Sequence, residues 1–158
     1  MINLEGLVEN RIKECLAVIT AKHSEFPHKI TTTFDLTVVC AGWAKCTNWK
    51  IRLNWSLLTK YTADMVKTTV PHELCHLLSW HYFKGRGHGS EWKRLMWELG
   101  LPGDRCHSYN LQEVMPGKFM QFACGCQTHN IGVRKGHNIL VNPSKFWCRR
   151  CKGKLTLV

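Results

Sequence analysis

The sequence predicts an α+β fold: helices packed with a small β-sheet, followed by a compact cysteine-bearing segment. Three observations predict it. Apolar residues recur at three- and four-residue steps near the amino terminus and again from residue 57 towards residue 81. Between these stretches, Trp49, Ile51, Leu53 and Trp55 alternate with Lys50, Arg52 and Asn54, the period-two pattern of a half-buried strand. From Cys106 onward, Gly, Asn and paired Cys replace charged helical sequence. At 158 residues, 44% apolar and with seven Trp, the chain has material for one cored domain and a small appendage. The expected units are residues 1–105 and 106–158.

Taken in order, residues 4–24 read as a helix carrying Leu4, Leu7, Val8, Ile12, Cys15, Leu16 and Ile19 on its apolar positions, with Pro27 closing the region. His23 and His28 after it read as surface or loop residues. Strands are expected at 33–40 and 49–55, with residues 41–48 as a turn or hairpin around Gly42. Residues 57–70 are helical in pattern. Pro71 lacks an amide proton, so either a new helix starts there or a longer one is distorted. Gly85 and Gly87 end that helix. Ser90 is placed to cap the next, which runs to about Leu99 and stops at Gly100 and Pro102. Residues 131–141 read as a β-hairpin turning at Gly136. Trp55, Trp92 and Trp97 are expected in the core, as are the scattered Cys15, Cys40, Cys46, Cys75 and Cys106.

Inside the second helix lies His72-Glu73-Leu74-Cys75-His76. Four helical residues advance by about 400°, so His72 and His76 share a face and can hold one Zn²⁺ between them. Glu73 sits beside them as a general base for an activated water. A catalytic zinc takes three protein ligands and keeps a fourth position open, and His88 supplies the third. Eleven residues separate it from His76, enough to finish one helix and turn back. His81 lies about 500° round the helix from His76, on the wrong face for the same ion. Glu91 is a weaker rival, because carboxylates collect at helix amino termini for electrostatic reasons alone. Zn²⁺ on His72, His76 and His88 would polarise a scissile carbonyl while Glu73 moves the proton to the leaving amine. This is the chemistry of a zincin-type metalloprotease. Arg52 and Asn54, on the strand before that helix, could donate to a transition state, but a surface role is expected for both.

Nine Cys at irregular spacing, with no export signal, read as metal ligands and buried thiols rather than a disulfide framework. Cys124 and Cys126 form one pair, Cys148 and Cys151 another, with twenty-one residues between the pairs. Two such pairs closing on one ion make a structural zinc ribbon, with His129 as the substitute should Cys126 not reach. A segment with so few large apolar groups needs that staple. Two zinc ions are therefore expected, one catalytic and one structural.

The net charge is +11, from 22 Lys and Arg against 11 Asp and Glu. That excess favours a polyanionic partner, nucleic acid first. Basic and aromatic residues interleave at Trp43 and Lys45, and again at Arg134, Lys135, His137, Trp147, Arg149 and Arg150. Such a mixture suits DNA with single-stranded character, bases stacking on the rings and phosphates following the cations. Glu5, Glu9 and Glu14 exclude a signal peptide from residues 1–20, and no run of 18 apolar residues exists to span a membrane. A cytoplasmic monomer is expected, nucleoid-associated or, if phage-encoded, in the host cytoplasm.

Together, residues 41–58 (AGWAKCTNWKIRLNWSLL), 70–78 (VPHELCHLL), 87–96 (GHGSEWKRLM) and the two cysteine knuckles ending in CRRCKGKL resemble the SprT family, including the Spartan type of DNA-dependent metalloprotease. The likeness covers roughly residues 34–155 and is to the compact bacterial or phage-like form. It implies a catalytic zinc on His72, His76 and His88, Glu73 as general base, and a DNA-contacting zinc ribbon beside the site. It also implies cleavage of proteins bound or crosslinked to DNA, stimulated by DNA, as in DNA–protein crosslink repair. The alternative is a zinc-stabilised DNA-binding or transcription-related module without protease activity, and a third reading is a metal hydrolase acting on smaller molecules.

Overall fold

The computed structural model describes residues 3–37, 40–103 and 109–158. The chain separates into two compact units, Met1–Tyr109 and Asn110–Val158. The boundary expected after residue 105 falls outside the described residues, as do Cys106 and the end of the strand expected at 33–40.

In the first unit, α1 (Leu4–Thr20) is capped by the Asn3 side chain, which accepts from the Gly6 amide at 2.9 Å. It buries Val8, Ile12, Cys15 and Ile19. The stripe ends at Ile19, and the helix ends with it at Thr20 rather than at residue 24. Three short strands follow: β1 (Thr31–Thr33), β2 (Gly42–Lys45) and β3 (Lys50–Leu53). β3 is central, parallel to β1 and antiparallel to β2.

The expected alternation holds within β3, where Ile51 and Leu53 are fully buried and Lys50 and Arg52 are half-exposed. Its neighbours differ from expectation. The first strand lies at 31–33, and residues 34–37 are irregular, with Asp35 held outside by a two-pronged pair to Arg52 at 2.9 and 3.0 Å. Residues 42–45, within the stretch expected as a turn or hairpin, are strand β2, the first arm of a hairpin whose antiparallel register with β3 satisfies their backbone. The turn is instead the short 3₁₀ segment Cys46–Asn48, closed by Trp49 in the left-handed region at φ 53°.

Asn54 is buried, not a surface residue. Its side chain accepts from the Leu57 amide at 3.3 Å and donates to the Cys40 carbonyl at 3.3 Å, capping α2 (Trp55–Lys60). A single turn, α3 (Thr62–Asp64), runs through a π-helical stretch, Met65–Thr69, into α4 (Val70–Phe83). The Val70 amide bonds the Met65 carbonyl, five residues back. That wider turn immediately precedes Pro71, so a missing amide proton is accommodated without breaking the helix. α4 ends at Lys84 in the left-handed conformation, and α5 (Ser90–Glu98) packs back on it. Ser90 is the first residue of α5 rather than its cap, and Gly89 holds the cap position without a side-chain bond.

The core comprises the buried face of α1 with Leu57, Leu58, Leu74, Leu77, Leu78, Trp92 and Leu95. Trp92 is core as expected. Trp55 and Trp97 are not, at 42% and 65% exposed, and neither is Cys40, which is exposed. Trp55 occupies the first position of α2, and Trp97 lies off the stripe that buries Trp92, Leu95 and Met96.

In the second unit, α6 (Leu111–Val114) precedes β4 (Phe119–Ala123), β5 (Thr128–Gly132), α7 (Val133–Val141) and β6 (Thr156–Leu157). The strands are antiparallel in the order β5-β4-β6. The hairpin expected at 131–141 is the helix α7. Gly136, read as its turn, is a buried contact glycine. A Cβ there would lie 2.5 Å from Met120 Sδ and 3.2 Å from the Phe122 ring.

Candidate metal centre and its cleft

Helix α4 places His72 and His76 one turn apart, their ring centroids 5.1 Å from each other. The segment after α4 reverses the chain and brings His88 to within 4.9 and 4.7 Å of the same two rings. One nitrogen from each of the three lies within 4.8 Å of the others, and His88 Nε2 is 2.9 Å from His72 Nε2. Tetrahedral zinc with bonds of about 2.0–2.1 Å holds its ligand nitrogens roughly 3.3 Å apart, so this donor set fits such an ion. Burial and the neighbouring His88 push the His76 imidazole down to about 4, leaving the neutral ring that a metal needs. His81 and Glu91 are not in the cluster.

Trp92 supports all three imidazoles, at 4.6, 5.5 and 4.6 Å from His72, His76 and His88. Its indole N–H donates to the His72 carbonyl at 3.1 Å. Sequence reasoning placed this tryptophan in the core but missed its second role. Its spacing from His88, four residues across a helix start, was the available signal.

Glu73 is 6% exposed and lies under β2. A Cβ on Gly42 would come within 2.6 Å of Glu73 Cγ, so only glycine lets the strand and the carboxylate approach this closely. Burial raises the carboxyl to about 8, opposed by a hydrogen bond from the Ala44 amide. The three histidines and Glu73 line a cleft of about 590 Å³ bordered by β2, which is an edge strand of its sheet. Cys40 and Cys46 also line it, and partial desolvation by the cleft walls pushes both thiols up.

In the second unit, the β4–β5 turn carries Cys124 and Cys126. The other knuckle carries Cys148 and Cys151, closed by the Cys148 amide on the Gly153 carbonyl at 2.9 Å. Four sulfurs come together, with Cys124–Cys126 at 3.5 Å and Cys126–Cys148 at 3.8 Å. Cys126 therefore reaches the cluster. His129 Nε2 stands beside it, 3.2 Å from Cys124 Sγ. The Cys126 amide and the His129 ring pull the Cys124 thiol down to about 5 and the Cys151 amide lowers Cys148, while the hydrogen bond to the Cys124 sulfur pushes Cys126 up to about 12, so the cluster shares its protons unevenly.

The eight residues expected at DNA are divided between the units. Trp43 is half-exposed on β2, with the Arg52 guanidinium 5.5 Å from its ring, and Lys45 is exposed two positions on. Arg134, Lys135 and His137 are exposed on α7, and Arg149, Arg150 and the 55%-exposed Trp147 belong to the second knuckle.

A helix bearing two histidines, a third histidine across a turn and a buried glutamate in an open cleft fit a metallopeptidase. The profile of the SprT-like family matches residues 10–110, and the chain belongs to that family. Protein SprT of Pasteurella multocida (strain Pm70) is 30% identical over 157 residues, covering 98% of this chain and 94% of the relative. Protein SprT of Shigella boydii serotype 18 is 33% identical over 98% of this chain and 94% of its own length. Protein SprT of Photorhabdus laumondii is 38% identical over 83% of this chain and 68% of its own. No solved structure matches the chain. Among the described residues no helix is long and apolar enough to cross a membrane.

Proposed function

We propose that this chain is a zinc-dependent protease that hydrolyses peptide bonds of proteins bound or crosslinked to DNA and is stimulated by DNA. The observation that carries the reading is the convergence of His72, His76 and His88 on one point of an open cleft, with Glu73 shielded beside them. The three histidines would hold the ion, which when bound lowers the pKa of water and polarises a carbonyl.

The chain's own residues supply the rest. Trp92 fixes the imidazole orientations. Glu73, buried under β2 beside the histidines, would take a proton from water and return it to a leaving amine. The edge of β2 offers backbone groups to an extended peptide, the pairing by which many proteins accept a strand. An open cleft with a strand along its side suits a polypeptide better than a small molecule. The cysteine cluster would hold a second, structural zinc. The exposed rings of Trp43 and Trp147, with Lys45, Arg134, Lys135, His137, Arg149 and Arg150, would hold DNA, preferably with single-stranded character.

The test is cleavage of a DNA-binding protein, and of the chain itself, with and without single-stranded DNA, alongside Glu73→Gln. Cleavage by the unsubstituted chain that rises with DNA, and its loss in Glu73→Gln with zinc content unchanged, is the expected result. Turnover retained by Glu73→Gln would sink the mechanism. Tight DNA binding without any cleavage would move the assignment to a DNA-binding module.

A further inference from the structure

The lining of the cleft runs against the charge of the chain. Lys and Arg outnumber Asp and Glu by 22 to 11 overall, yet the Lys, Arg, Asp and Glu among the described cleft residues are Asp64, Glu73 and Arg86. A polyanion gains nothing by entering such a cleft, whereas a polypeptide can.

Both charges besides Glu73 line the cleft, Asp64 before it along the chain and Arg86 after it. Asp64 precedes the π-turn, and Trp80, over whose ring Arg86 sits at 5.3 Å, lies in the last turn of α4, at the far end of the same helical run. Sixteen helical positions separate Asp64 from Trp80, about 24 Å at 1.5 Å per residue. An extended peptide covers that length with about seven residues.

Each charge is held in place. The Asp64 carboxylate accepts from the Tyr109 hydroxyl and faces Thr68 Oγ1 at 3.5 Å. Tyr109 is fixed in turn by stacking on Tyr61 at 4.8 Å and by a 3.1 Å bond to Thr69. At the far end, Lys84 lies 5.7 Å from the same Trp80 ring and reinforces the positive pole.

We infer that the cleft reads charge along a bound peptide, taking a Lys or Arg side chain at its Asp64 end and an Asp or Glu side chain at its Trp80–Arg86 end. This specificity rests on the peptidase reading and adds a direction to it. The basic end of the substrate matches the composition of proteins that sit on DNA.

The experiment uses two isomeric peptides of one composition, with Lys and Glu exchanged between their ends. The zinc-loaded chain is expected to cleave one isomer about fivefold faster in kcat/KM, the scale of exposed ion pairs turned from attraction to repulsion. The double exchange Asp64→Lys with Arg86→Glu inverts the preference, and Asp64→Asn with Arg86→Gln erases it. Circular dichroism checks that each variant folds, and the neutral pair keeps the test valid if the exchange does not. Anisotropy of labelled isomers on zinc-loaded Glu73→Gln separates this inference from catalysis. Unequal binding supports the polarity even without turnover. Equal binding, no binding, or a preference unmoved by the charge exchange overturns it.

Discussion

At the scale of single residues, the contact between Gly42 and Glu73 is the most exposed to test. Adding one methyl at Gly42 places an atom 2.6 Å from Glu73 Cγ inside a closed contact. The Gly42→Ala chain is expected to lose about 1–3 kcal/mol of stability, the range for overpacking, as β2 or the carboxylate is pushed aside. Because the three histidines lie on other elements, zinc content should hold while kcat falls at least tenfold. Metal analysis beside kinetics checks this, and unchanged kcat would show that Glu73 does not need its shield. His72 and His76 were legible in the sequence because helical periodicity puts them on one face, and His88 because the eleven residues after His76 suffice for the chain to turn back. Gly42 was not. Its necessity arises from a carboxylate thirty-one positions away, and no local pattern reports that contact.

At the scale of elements, α7 and the π-turn show where periodicity stops being informative. Residues 131–141 carry β-branched residues at both ends and a glycine between, which matches a hairpin as well as a helix. What selects the helix is the fit of Gly136 against Met120 and Phe122 on β4, a tertiary contact. Alanine normally stabilises an interior helical position over glycine by roughly 0.5–1 kcal/mol. Gly136→Ala is expected to do the opposite and cost about 1 kcal/mol or more, because its Cβ meets a buried ring. Thermal unfolding of the second unit's fold within the full chain reads the sign, and a gain in stability would contradict the packing described. Pro71 was a clearer signal. It announced a distortion, and the structure resolves the choice as one extra residue in the preceding turn rather than as two helices.

At the scale of the whole molecule, the two units differ in what holds them together. The first has a core drawn from four helices and a central strand, whereas the described core of the second is little more than Phe122, Ile139 and Cys148 of the cysteine cluster. Chelation should therefore divide them. Removing metal is expected to unfold Asn110–Val158 while the first unit keeps its helical signal, giving exchange-protected amides in α1 and α4 but not in β4 or β5. Hydrogen exchange with and without chelator measures this, and uniform loss or uniform retention would refute it. The helical hairpin of α4 and α5 carries a further consequence, for the order of assembly. His72, His76, His88 and Trp92 all fall within one short stretch, so bringing the nitrogens together closes a loop of about a dozen residues at small entropic cost. The shield over Glu73 comes from β2, far upstream, and forms only when a distant strand docks. An ion can thus be captured by a nascent hairpin before the carboxylate is desolvated, so that the histidine cluster is complete first and the shield over Glu73 only afterwards.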